Sequence, residues 1–251
     1  MYKKDRPKAY QQGWIEFYKL RFKVTPDVLI PRPETELLVD EVLDFIQNYQ
    51  LRINNEEFKK AAKKIRNSSL IIDNSLTILD LGTGSGNIAI SIAKNLPQNS
   101  QVKILATDIS GKALKVAKQN ARLHGVENRI DFIQSNLLEN CKPIIHNTNP
   151  QSLIIVTNLP YIPSERIAYL DSSVKDFEPN IALDGGADGF DLYRKLFAQI
   201  NKKGWHPNLV IGEIDYTHGE LAITEAQKYF PDAKIEVKTD LAKKQRVLLI
   251  G

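Results

Sequence analysis

"LTILDLGTGSGNIAISIAKNL", residues 76–96, decides how the rest of the chain is read. The apolar run up to Leu81 has strand length, and "NIAISIAKNL" (87–96) has helical spacing. Between them stand Gly82, Thr83, Gly84, Ser85 and Gly86. Glycine lets the backbone turn sharply and lets a ligand touch it. The helix start beyond offers free N–H groups and a partial positive charge. A glycine trio alone is equally a tight turn. Here a second strand, "VKILATD" (102–108), follows the helix and ends in Asp108, where a carboxylate can accept both hydroxyls of a ribose. The dinucleotide pattern G-x-G-x-x-G would need its third glycine where Asn87 stands. The spacing G-x-G-x-G therefore favours a cofactor without a pyrophosphate.

The alternation continues outward. A helix is expected over 111–125, a strand over 129–135, a strand over 152–158, a helix over 189–204, a strand over 208–215 and a helix over 219–230. Two strands that pair as a hairpin end the chain. Strands alternating with helices predict an α/β fold built on a doubly wound, Rossmann-like sheet, mostly parallel with an antiparallel strand near the C-terminus. Upstream, residues 1–12 are polar and expected to be loose. Residues 14–30 read as a short β-hairpin or pair of strands. "PRPETELLVDEVL" then opens a helix with Leu37, Leu38, Val42, Leu43 and Phe45 on its apolar face. Residues 50–74 read as a solvated basic helix and linker. The expected organisation is a lead-in over 1–35, a helix and basic linker over 36–75, and a catalytic domain over 76–251.

The 251 residues are 42% hydrophobic and 25% charged, ordinary for a globular protein, so one large α/β domain fits. A net charge of +4 admits contact with RNA, a ribosome or another acidic partner. One cysteine, Cys141, excludes an internal disulfide, and with four histidines it shows no metal-ligand spacing. No apolar run has membrane-spanning length, so the expected location is cytoplasmic.

"IIVTNLPYIPS" (154–164) carries the second chemical signal. In a doubly wound sheet the carboxyl ends of the strands form the ligand crevice. Asn158 would thus face the cofactor. Its amide oxygen can accept one N–H of a planar amide or amine, and the backbone carbonyl of Leu159 the other. Pro160 biases Leu159 towards an extended backbone, and Tyr161 would offer a flat face to the substrate. Asn136 and Leu137, after the third strand, are candidates to flank an adenine. Arg32, Glu34 and Glu36 could order the entrance, or serve capping and surface pairing. Glu178 precedes Pro179 near the expected pocket, and Glu213 ends a strand there.

The glycine loop and Asp108 resemble those of the class I S-adenosylmethionine-dependent methyltransferases. Asn-Pro-Pro-Tyr-type motifs in such enzymes serve the exocyclic amine of a nucleobase or the side-chain amide of glutamine. "GWIEFYKLRFKVTPDVLIPRPETELLVDEVL" (13–43) and "FEPNIALDGGADGFDLYRKL" (177–196) are similar to segments of the HemK/PrmC family, glutamine methyltransferases acting on peptide release factors. The likeness spans roughly residues 10–251, and the Ile-Pro-Arg-Pro-Glu-Thr-Glu run is its most specific part. It implies methyl transfer to the glutamine of a release factor's Gly-Gly-Gln tip. Residues 82–86 and 108 would hold S-adenosylmethionine, with Asn136, Leu137 and Asn158 beside it. Residues 158–161 would hold the glutamine amide. Leu159 stands where the family usually has proline, and Leu137 where some members have an aromatic. Members usually carry an N-terminal helical domain ahead of the hairpin that helps grip the factor. The resemblance therefore implies weak capture of the release factor here, and the basic stretch 59–66 reads as a solvated helix face that could compensate in part. The alternatives are a nucleic-acid adenine N6-methyltransferase, a methyltransferase acting on a ribosomal-protein glutamine, and a non-catalytic RNA- or ribosome-binding module.

Overall fold

The computed structural model describes residues 6–54, 76–141 and 153–251. Its first element corrects the expectation of loose chain for residues 8–12. Lys8–Gln12 form a short helix, α1, closed by Gly13 in the left-handed conformation. Polarity hid the anchor: the Tyr10 ring is buried, and its hydroxyl donates to the Val28 carbonyl at 2.5 Å. The expected hairpin follows as Trp14–Phe17 (β1) and Leu20–Lys23 (β2), paired antiparallel. At its turn the Tyr18 N–H donates to Glu36 Oε1 at 2.7 Å, tying the hairpin to the next helix. A 3₁₀ turn, Pro33–Thr35, leads into helix α2, Glu36–Asn54. The fully buried stripe of α2 is Leu38, Val39, Val42 and Ile46, whereas Leu37, Leu43 and Phe45 are only partly buried. The stripe is thus rotated from the expected one, because the helix packs against a second helix as well as the sheet. The basic stretch 59–66 lies outside the described residues.

The remaining strands are Thr77–Leu81 (β3), Lys103–Asp108 (β4), Ile130–Gln134 (β5), Leu153–Thr157 (β6), Leu209–Glu213 (β7), Ile235–Thr239 (β8) and Gln245–Ile250 (β9). The longer helices between them are Asn87–Asn95 (α3), Gly111–Leu123 (α4), Asp191–Lys202 (α6) and Gly219–Tyr229 (α7); the single turn α5 is Ser172–Lys175. Successive strand side chains point to opposite faces. Ile78, Ile104, Ala106, Ile154 and Val156 therefore pack with α2 and α3 on one side. Leu79, Leu81, Leu105, Leu153 and Ile155 pack with α6 and α7 on the other. Both faces are covered, which is why these strands read as continuous apolar runs rather than alternating ones.

The sheet order is β5-β4-β3-β6-β7-β9-β8. Pairs from β5 to β7 are parallel, and β9 runs antiparallel to both its neighbours. The expected C-terminal hairpin is present, with one addition: β9 inserts between β7 and β8. The chain builds outward from β3 through β4 to β5, then returns to lay β6 on the other flank of β3. That reversal is the switch point at which such sheets bind ligands. Leu81 and Thr157 are register partners, so the glycine loop and Asn158 leave the sheet side by side. Among the described residues no helix is long and apolar enough to cross a membrane.

Candidate functional site

Gly82, Gly84 and Gly86 have φ of +69°, +55° and +82°, a region other residues enter at a cost. The loop is held from beneath. Asp80 Oδ2 accepts the Thr83 hydroxyl at 2.6 Å and the Ala89 N–H at 3.2 Å. Asp108 Oδ2 accepts the Gly84 N–H at 2.9 Å, and its Oδ1 accepts the Ser110 N–H at 2.8 Å. A Cβ on Gly84 would meet nothing nearer than 3.9 Å, so the space over it is open. Gly86 differs. A Cβ there would lie 2.8 Å from Ile90 Cδ1 and 3.2 Å from Ala117 Cβ. It lets α3 and α4 approach and does not line the cavity.

Asp80 is fully buried, and that burial pushes its carboxyl from 3.8 up to about 7, against the pull of its bonds to Thr83 and Ala89. The folded state holds this proton more tightly than the unfolded chain. Its stabilising contribution is therefore complete below pH 3.8 and is lost as pH rises to about 7. Asp80→Asn has no proton to lose. Urea unfolding should show the stability of the parent falling relative to Asp80→Asn by up to about 4 kcal/mol across that window. Parallel pH profiles would contradict the assignment.

The open cavity encloses about 1040 Å³ of empty space, its mouth included. It is lined by Gly82, Thr83, Gly84, Ser85, Asp108, Asn136, Leu137, Asn158, Leu159 and Pro160 together. Leu137 is in the left-handed region, φ +53°, unusual for leucine. Its carbonyl accepts the Ser135 hydroxyl at 2.7 Å, and the next N–H, from Leu138, donates to Gln199 Oε1 at 2.8 Å. Leu159 does more than offer a carbonyl. Its side chain is buried with Tyr193, and Cδ2 lies 3.6 Å from where a Gly82 Cβ would stand. Tyr161 departs from expectation. It does not line the cavity, and its hydroxyl donates to Glu213 Oε1 at 3.1 Å. Burial, then the Glu213 charge, keep that phenol protonated far above the ordinary range.

A glycine fixes the position of the loop over 158–161. A Cβ on Gly185 would stand 2.7 Å from the Pro160 carbonyl oxygen, the Tyr161 Cα and the Gly189 carbonyl oxygen. All three atoms are backbone, so the loop itself must move. Gly185→Ala should lower any activity that uses Asn158 by about tenfold or more and destabilise by about 1–3 kcal/mol. Parental kcat and melting temperature in this variant would show the loop to be compliant.

Residues that were not themselves sequence candidates complete the wall. Asp27, Val28, Leu29, Pro31 and Thr35 come from the segment after the hairpin, and Pro179, Ile181 and Ala182 from the segment after 158–161. The two are joined by Glu178, which is buried, accepts the Ile30 N–H at 3.0 Å and pairs with Arg32 Nη2. Of the three charged residues near the entrance none lines the cavity, and only Arg32 pairs with Glu178. Glu36 caps the hairpin turn, and Glu34 lies 4.0 Å from Arg246. Thr35 donates to Glu213 Oε2 at 2.6 Å, and Asn158 Nδ2 donates to Thr35 Oγ1 at 3.1 Å. Burial raises the Glu213 carboxyl above its usual range, while the Thr35 and Tyr161 hydroxyls pull it down. The Pro-Arg-Pro-Glu-Thr run was the signal for this side of the pocket.

Residues 72–156 match the model of a methyltransferase domain. Among solved structures, the fold is similar to that of the hMettl16 catalytic domain in complex with a MAT2A 3′UTR hairpin. The TM-score is 0.61 at 12% identity, over 93% of this chain and 76% of that one. A ribosomal protein methylase from Lactobacillus delbrueckii subsp. bulgaricus gives a TM-score of 0.50 at 20% identity, over 91% of this chain and 83% of that one. At these identities the likeness is one of fold. Sequence relatives are nearer. The release factor glutamine methyltransferase of Bacillus cereus is 34% identical over 242 residues, 96% of this chain and 75% of the relative. That of Clostridium acetobutylicum is 36% identical over 252 residues, 99% of this chain and 76% of the relative. Matches of that identity run from the hairpin through the glycine loop to the last strand, and on them the chain belongs to the release factor glutamine methyltransferase family.

Proposed function

We propose that this chain transfers a methyl group from S-adenosylmethionine to the side-chain amide nitrogen of the glutamine in a release factor's Gly-Gly-Gln tip. The observation that carries the reading is the sharing of one cavity by the glycine loop, Asp108 and Asn158, at the switch point between β3 and β6. The cavity suits the cofactor. Space is open over Gly84, and the Asp108 oxygens keep lone pairs beyond the two backbone bonds they accept. Residues 82–85 and Asp108 would hold it, with Asn136 and Leu137 alongside. When bound, S-adenosylmethionine supplies an electrophilic methyl group on a sulfonium and leaves as a neutral thioether, so the leaving group asks for no acid.

The chain's own part is orientation and electrostatics. Asn158 Oδ1 accepts one N–H of the glutamine amide and the Leu159 carbonyl accepts the other. Both acceptors raise electron density on the nitrogen and fix its direction, and the nitrogen, once it carries the methyl group, sheds one of its two protons to solvent. Pro31, Thr35, Pro179, Ile181 and Ala182 line the same cavity and would limit the access of water to that point. The reading is tested by offering labelled S-adenosylmethionine with three acceptors: a release factor, the same factor with its tip glutamine changed to asparagine, and an adenine-containing oligonucleotide. Label on the first alone is expected. Label on the oligonucleotide, or equal label on both factors, would overturn it.

A further inference from the structure

We infer that Thr35 and Glu213 are positioning residues that set which end of the Asn158 amide faces the cavity, and so restrict the substrate to one that presents N–H groups. The inference rests on the proposed contact between Asn158 and the substrate nitrogen, and it supplies what that contact leaves open. A side-chain amide is nearly symmetrical in shape. One end accepts hydrogen bonds and the other donates. Reversed, Asn158 would turn its NH₂ towards the substrate and would suit a carbonyl.

The three residues come from distant parts of the chain: the turn before α2, the end of β6 and the end of β7. Glu213 is buried and receives two hydroxyls, from Thr35 at 2.6 Å and from Tyr161 at 3.1 Å. A carboxylate that takes two donors acts as acceptor only. Thr35 has a single proton, and it is committed to Glu213. Its oxygen can therefore only accept from its other neighbour, and Asn158 Nδ2 stands there at 3.1 Å. Turning the amide over would set two lone pairs against each other in a buried place. The bias against that orientation is about 10–100-fold, the equilibrium equivalent of one buried hydrogen bond left unmade. Polarity thus passes from Glu213 through Thr35 to Asn158 and leaves Oδ1 towards the cavity. Tyr161, absent from the cavity lining, has its place here as the second donor that keeps Glu213 an acceptor.

Thr35→Val keeps the shape and removes the hydroxyl, and Thr35→Ser restores it. Glu213→Met removes the acceptor that commits the Thr35 proton. Methylation of a release factor is followed with enzyme concentration set by cofactor titration, so that unfolded molecules are not counted. Thr35→Ala, which leaves room, is the second variant should valine pack poorly. The expected result is a kcat about 10–100-fold lower in Thr35→Val and Thr35→Ala, with cofactor Kd and the KM for the factor within about threefold. Thr35→Ser should come within about threefold of the parent. Glu213→Met should lose kcat by a smaller factor, because the amide can then take either orientation. Parental kcat in Thr35→Val or Thr35→Ala, or failure of serine to restore it, would overturn the inference, and parental kcat in Glu213→Met would remove Glu213 from it. Absence of glutamine methylation by the parent itself would instead overturn the proposed function on which it rests.

Discussion

Asn158→Ala is expected to lower kcat by roughly 10²–10³ while leaving the Kd for S-adenosylmethionine nearly unchanged, the scale for losing one preorganised polar contact in a buried site. The asparagine lies at the cavity wall, and among the described residues its side chain bonds to Thr35, not to the glycine loop. Its loss should therefore spare the cofactor side. Asn158→Asp is the sharper variant. It would place a carboxylate against Thr35, whose proton already goes to Glu213, so two acidic groups would compete for one hydroxyl. The new carboxyl is expected to be driven towards protonation. Its O–H can then donate to Thr35 and leave the carbonyl oxygen towards the cavity, so kcat should recover part of what alanine loses and should fall as pH rises. Steady-state and single-turnover rates on a release factor decide the matter. Parental kcat in Asn158→Ala would reduce the motif to a turn. Leu159→Pro keeps the carbonyl, but the structure makes it less innocent than its backbone suggests, because it also removes a buried leucine from the cluster with Tyr193.

The second large effect belongs to Asp108. Asp108→Ala should weaken S-adenosylmethionine binding by about 1–3 kcal/mol through lost charge-assisted bonds. Two causes are mixed in that figure, since the carboxylate also holds the Gly84 and Ser110 N–H groups. A cofactor analogue lacking the ribose hydroxyls separates them. Calorimetry should find the parent preferring the ribose form and Asp108→Ala nearly indifferent. A preference that survives the mutation would place the ribose elsewhere. Asp108→Asn should rescue little, because an amide must turn one donor towards a backbone N–H.

What the sequence disclosed and what it hid follow from the range of the interactions. The glycine loop, Asp108 and the Asn158 loop were legible because each is a local pattern pinned to the end of a strand. The doubly wound, mostly parallel sheet needed only the alternation of strands and helices. The insertion of β9 between β7 and β8 is a matter of pairing at a distance, and nothing in either strand's own residues announces it. The same holds for Thr35, which is bonded to a carboxylate 178 residues away. Glu178 reaches back 148 residues to Ile30 in the same manner. Gly86 looked like the third cofactor glycine, yet its missing side chain serves the packing of Ile90 and Ala117. Tyr161 looked like a platform for substrate, yet its hydroxyl is drawn towards a buried acid that only the fold brings near. Helix α1 was missed because one buried tyrosine, bonded to a carbonyl 18 residues on, outweighs a polar composition.

The central claim is that Asn158 and the glycine loop deliver a methyl group to a glutamine amide. It is met most directly by incubating the chain with S-adenosylmethionine and a release factor, then locating the added mass by fragmentation of the tip peptide. One methyl group on the side-chain nitrogen of the Gly-Gly-Gln glutamine, lost when Asn158 is alanine, is the expected result. A methyl group on any other residue of the factor, or an unmodified tip from enzyme that binds the cofactor normally, would contradict it.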